Sequence, residues 1–88
     1  MITKLLEVRN ELGFHARVAS RIVRELNKFE SSVVVKKGDR NYDLKNVTGA
    51  ITINAKRGDL LTVEFSGGDE EAAATATEAL FLNKFGEK

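Results

Sequence analysis

The residues best able to do chemistry in this chain gather in one short stretch, Gly13-Phe14-His15-Ala16-Arg17. His15 is the sole histidine. A neutral imidazole keeps a lone pair on one ring nitrogen near physiological pH, so it can take up an electrophile and give it back. Two positions on, Arg17 supplies a permanent positive charge whose planar fork suits phosphate oxygens. An amphipathic pattern begins at Ala16, which puts His15 at a helix boundary, at the N-cap. The first amides of a helix have no intrahelical acceptor, and the summed peptide dipoles place about half a positive charge there. Such an end attracts anions. A phosphoryl group on His15 would meet those amides and Arg17, while before transfer the same field disfavours a protonated ring and leaves a nucleophilic nitrogen. Each contribution is about 0.3–1 kcal/mol when exposed and up to ~2 kcal/mol when partly buried. That suits a group held reversibly.

Other chemistries fit poorly. With one His and no Cys, the three or four ligands of a zinc site are missing, so no metal and no cofactor is expected. No spacing suggests a Ser-His-Asp triad. The competing reading is a regulatory or ligand-binding α+β domain without catalysis, in which His15 only caps its helix.

The elements that must position this stretch follow from periodicity. Residues 2–9 place Ile2, Leu6 and Val8 on one parity, as in a half-buried strand. Gly13 frees the backbone for a turn. From Ala16 to Lys28, Ala16, Ala19, Ile22, Val23 and Leu26 define the apolar face of a helix, with Arg17, Arg21, Arg24 and Lys28 on other faces. The β-branched run Val33-Val34-Val35 marks a strand from Ser31 to Lys36. Lys37-Gly38-Asp39 turns the chain into a short strand, Arg40 to Leu44. Asn46 is a good N-cap for a short helix carrying Val47, Ala50 and Ile51; Ile51-Thr52-Ile53 also fits extended chain. Leu61, Val63 and Phe65 alternate with polar residues as a fourth strand. Asp69-Glu70-Glu71 opens a last helix and complements its dipole, with Ala73, Ala76, Leu80 and Phe81 on the buried side and Lys84 near the end. The order β-α-β-β-α-β-α implies an α+β open-faced sandwich, a four-stranded antiparallel sheet with three helices on one face.

Composition sets the frame. Eighty-eight residues suit a single domain, 1–88. Fourteen basic residues against thirteen acidic give a net charge of +1, too small for a bulk attraction to nucleic acid. An RNA-binding sheet would also fit the order of elements, but Tyr42 and Phe65 do not make up its aromatic motif. No stretch nears the ~20 apolar residues of a membrane span, and no membrane insertion is expected. Absence of cysteine is consistent with the cytoplasm.

Leu12-Gly13-Phe14-His15-Ala16-Arg17, with Val18 and Ala19 after it, closely resembles the signature of the HPr family. These are the histidine-containing phosphocarriers of the bacterial phosphoenolpyruvate-dependent sugar phosphotransferase system. The usual form is Gly-hydrophobic-His-Ala-Arg-Pro-Ala, and length and element order match as well. The resemblance implies that His15 takes a phosphoryl group on Nδ1 from enzyme I and that Arg17 contacts the phosphate. Recipients would be IIA domains of sugar permeases or of a regulatory nitrogen branch. Catalysis would reside in those partners. The chain itself is expected to be a monomer, an expectation separate from the resemblance. A partner face is implied at Phe14, Val47, Thr48 and Ile51, bordered by Arg21, Arg24 and Lys45. Two departures stand out. Val18 occupies the position of the family's proline, which restores an amide hydrogen and loses some rigidity. Asn46 occupies the position of the regulatory serine, where it can cap a helix but offers no hydroxyl to a kinase.

Overall fold

A computed structural model describes residues 1–87. Its elements run β1 (Ile2–Glu7), α1 (Ala16–Leu26), β2 (Ser32–Lys37), β3 (Arg40–Asp43), α2 (Val47–Thr52), β4 (Leu60–Ser66) and α3 (Glu70–Leu82), followed by a 3₁₀ turn at Lys84–Gly86. The strands form one antiparallel sheet in the order β1-β4-β2-β3. Alternation decides which face is covered. Leu61, Val63 and Phe65 of β4, Val33 and Val35 of β2, and Leu6 of β1 are buried beneath the helices. Their neighbours Leu5 and Leu60 point to the open face and are exposed. This is the expected open-faced sandwich.

Most boundaries fall within two residues of expectation. Beyond Glu7 the first strand stops pairing as a regular ladder, although Val8 still exchanges backbone hydrogen bonds with Gly58 and Asp59. The stretch after Asn46 is helical as far as Thr52, and Asn46 Oδ1 accepts from the Gly49 amide at 3.2 Å. The buried face of α1 is Val18, Ala19, Ile22 and Leu26. Ala16 is exposed and Val23 half-buried, so the face is rotated from the expected one: Val18, beginning a turn that ends at Ile22, reaches the core better than the small Ala16. In α3, Ala74 and Thr77 join Ala73 and Phe81 in the core, while Leu80 packs against it half-buried and Ala76 is half-buried; Thr77 is tolerated there because its hydroxyl donates to the Ala73 carbonyl at 2.8 Å.

The acidic start of α3 does more than complement a dipole. Asp69 is the N-cap residue but makes no capping hydrogen bond to its own helix. Its carboxylate instead accepts from the backbone amides of Glu30 and Ser31, each at 2.9 Å, and from the Ser31 hydroxyl. The turn between α1 and β2 is thereby tied to α3. Glu70 accepts from the Gly67 amide at 3.2 Å and lies 3.0 Å from the terminal amine of Met1. The Ser31 hydroxyl, then the Glu30 amide, hold the Asp69 carboxyl below its ordinary value.

A carboxylate whose pKa is depressed by folding adds stability that is fully present above its unfolded value of about 4 and is lost as pH falls through the lower folded value. Asp69→Asn is therefore expected to lower the urea midpoint at pH 7 and to flatten its fall between about pH 4 and pH 2. Parallel urea titrations of the two proteins across that range check the sign.

Candidate functional site

Gly13 shapes the approach to His15. It has φ +64°, the left-handed region that favours glycine, and an added Cβ would collide with the Ala55 carbonyl oxygen. The next amide, of Phe14, donates to that same carbonyl at 3.0 Å. Asn10, fully buried, donates through Nδ2 to the Gly13 carbonyl at 2.7 Å. The loop is thus held on both sides before the helix begins.

His15 is the N-cap residue of α1, with extended backbone (φ −79°, ψ 174°), and its carbonyl accepts from the Ala19 amide at 2.9 Å. The ring makes no capping hydrogen bond, which is the bond the purely structural reading requires. Its side chain is 27% exposed, open to a visitor and not walled into the core. Nε2 lies 3.0 Å from Oε1 of Glu87. Arg17 extends into solvent, 81% exposed, with one guanidinium nitrogen 3.6 Å from Oε2 of Glu87. One carboxylate therefore spans the imidazole and the cation. Glu11, Leu12, Arg17, Gly86 and Glu87 line an open depression of about 400 Å³ beside them.

What brings Glu87 here is a left-handed turn. Lys84, Phe85 and Gly86 have φ of 54°, 55° and 76°. For a bulky residue this is unfavourable, about 1–3 kcal/mol each for Lys84 and Phe85. Burial offsets it. The Phe85 ring is 1% exposed and meets Phe14 edge-to-face at 5.5 Å and Phe81 at 4.9 Å, while Phe14 and Phe81 stand 5.8 Å apart. Burying one such ring contributes about 1.5–3 kcal/mol, and each edge contact about 0.5–1.5 kcal/mol more.

That cluster corrects the expectation for Phe14, which is 4% exposed and belongs to the core, not to a partner face. A ring between two others is worth more to stability than on a surface. Lys45 is likewise not a free border cation. It is partly buried, and its Nζ donates to the carbonyls of Phe29 and Ser31 at 2.7 and 3.2 Å. Val47 and Ile51 remain exposed, 38% and 42%, as does Thr48. Arg21 and Arg24 are exposed on α1, with Arg21 lying against Gly86. The C-terminal end of α1 is bonded to the start of α2 through Asn27 and Lys45, and Ala55, just past α2, pairs with Phe14. The two helices therefore run in opposite senses, which places Ile51 on the His15 side and Val47 away from it. Leu12, at the head of the His15 motif, is 73% exposed, and Glu87 joined the site without a local signal in the sequence. No group of residues able to hold a metal occurs among the described residues, and none of their helices is long and apolar enough to cross a membrane.

Residues 2–83 match the family described as the PTS HPr component phosphorylation site. The chain belongs to the HPr family. Phosphocarrier protein HPr of Treponema pallidum is 35% identical, covering all of both chains. That of Xylella fastidiosa is 33% identical over 99% of this chain and 98% of its own. The crystal structure of HPr from Thermoanaerobacter tengcongensis superposes with a TM-score of 0.93 at 32% identity, covering 100% of this chain and 99% of that one. The family is one of phosphocarriers of the phosphotransferase system, not of catalysts, and the four-stranded open sheet with its helices is the HPr fold.

With Phe14 in the aromatic cluster, Phe14→Ala is expected to cost about 3–5 kcal/mol of stability. Denaturant unfolding of the variant measures it; a loss under 1 kcal/mol, about what a surface truncation gives, would contradict the buried placement.

Proposed function

We propose that this HPr-family protein takes a phosphoryl group onto Nδ1 of His15 from phosphorylated enzyme I, whose own donor is phosphoenolpyruvate. It then passes the group to IIA domains of sugar permeases or of a regulatory nitrogen branch. The observation that carries this reading is the partly exposed imidazole at the amide end of α1 with Arg17 beside it. In the step, the Nδ1 lone pair forms the new N–P bond as the donor's N–P bond breaks and its electron pair returns to the donor nitrogen. The phosphoryl oxygens then lie near unpaired helix amides, and Arg17 can swing from Glu87 to contact them. Delivery to a IIA domain reverses the same displacement. The chain contributes positioning and charge, while the partners supply the rest of the catalytic groups. The setting is the cytoplasm, where both partners act.

Docking is assigned to the exposed apolar side chains Leu12, Ile51 and Val47 with Thr48, and to Arg21 and Arg24. Cations around a small apolar patch favour acidic partner surfaces and speed encounter. Asn46 leaves the second helix capped but closes the regulatory route through that position, since an amide side chain accepts no phosphoryl group from a serine kinase.

Incubation with labelled phosphoenolpyruvate and enzyme I is expected to label the wild type and not His15→Ala, with an acid-labile, base-stable phosphate. An unlabelled wild type, or equal label on both proteins, would refute the carrier role at His15. Treatment with HPr kinase and ATP is expected to leave Asn46 unmodified; peptide mapping that places label there would overturn that assignment.

A further inference from the structure

Glu87 lies 72 positions from His15 in sequence, and the chemistry assigned to the site so far uses it only as a resting partner for Arg17. Its geometry suggests more. A carboxylate can only accept hydrogen bonds, so a 3.0 Å contact between its Oε1 and Nε2 of His15 puts the shared proton on Nε2. In a neutral imidazole the lone pair is then on Nδ1. A carboxylate on the far nitrogen also restrains rotation of the ring, as it does for histidines that ligate metals.

Two features keep this carboxylate in place. The left-handed turn at Lys84–Gly86 is anchored by buried Phe85, and Arg17 holds the second oxygen at 3.6 Å. The Glu87 side chain is only 20% exposed, so solvent competes weakly for the contact.

We propose that Glu87 is a positioning residue for phosphoryl transfer, holding His15 as the Nε2–H tautomer with Nδ1 bare and stabilising the charge that the ring acquires. The proposal rests on His15 being the phosphoryl acceptor. When the Nδ1 lone pair forms its bond to phosphorus, the Nε2 proton stays in place and the ring becomes a phosphoimidazolium. Its positive charge develops beside the Glu87 carboxylate, where a charge-assisted hydrogen bond strengthens. Arg17 is released from Oε2 to the phosphoryl oxygens, and the bond from Oε1 to the ring persists. The same cation is a better leaving group than a neutral phosphoimidazole, so onward transfer gains as well.

Nitrogen-15 spectra of the His15 ring, together with transfer rates from phosphorylated enzyme I, test this on the full chain. The wild type is expected to show Nε2 protonated and Nδ1 bare. Glu87→Ala, with its backbone spectrum otherwise retained, should lower the ratio of Nε2–H to Nδ1–H tautomers about tenfold, as loss of a hydrogen bond to a charged group implies. Transfer should slow about fivefold, the equivalent of one ordinary hydrogen bond. Glu87→Gln keeps an acceptor and should restore the tautomer while recovering only part of the rate, because the negative charge is gone. A Glu87→Ala ring with the wild-type tautomer ratio, in a preparation where the wild type is phosphorylated normally, overturns the positioning role alone. Failure of the wild type to accept phosphoryl groups overturns the acceptor role of His15 instead, whatever the tautomer.

Discussion

The packing of Phe14, Phe81 and Phe85 is the constraint on which the rest of the site depends. Each ring arrives from a different part of the chain: the loop before α1, the end of α3, and the turn after it. Phe14 fixes the residue immediately before His15. Phe85 fixes the turn that carries Glu87, and its burial offsets a backbone conformation that would otherwise be avoided. The imidazole and the carboxylate meet because the neighbours of both are locked into one apolar cluster.

Around that anchor the charges fall into two sets. Arg17, Arg21 and Arg24 stay in solvent on α1, where they add little to stability. Lys45 and Asp69 are turned inward to backbone groups, where they close the loops that join helices to strands. The two sets look alike as residue types. Only the hydrogen-bond partners separate a cation left in solvent from one that holds a loop.

The helix end beneath His15 supplies a general affinity for anions, and a general affinity does not choose between the two ring nitrogens. The dipole and the bare amides favour negative charge wherever it sits near the first turn. Which nitrogen carries the lone pair is a matter of the bond made by the other, and in this protein that bond comes from the opposite end of the chain.

Local periodicity made most of the architecture legible. The alternation in β4, the β-branched run of β2 and the start of α1 at Ala16 each report an interaction between residues close in sequence, as does the Asn46 cap. The short string around His15 and Arg17 also marked the family. Other assignments depended on distant packing. Phe14 was legible as apolar but not as buried, because its neighbours in the cluster lie 67 and 71 positions away. Val18 took the place of Ala16 in the core because its larger side chain reaches the packed layer, and Lys45 was taken up by carbonyls on another loop. The sequence by itself determined the elements, their order and the placing of the sole histidine at a helix start, since these follow from neighbours and periodicity. Tertiary structure alone decided what stands beside that residue, because bringing Glu87 to His15 required the buried aromatic cluster that only the folded chain assembles.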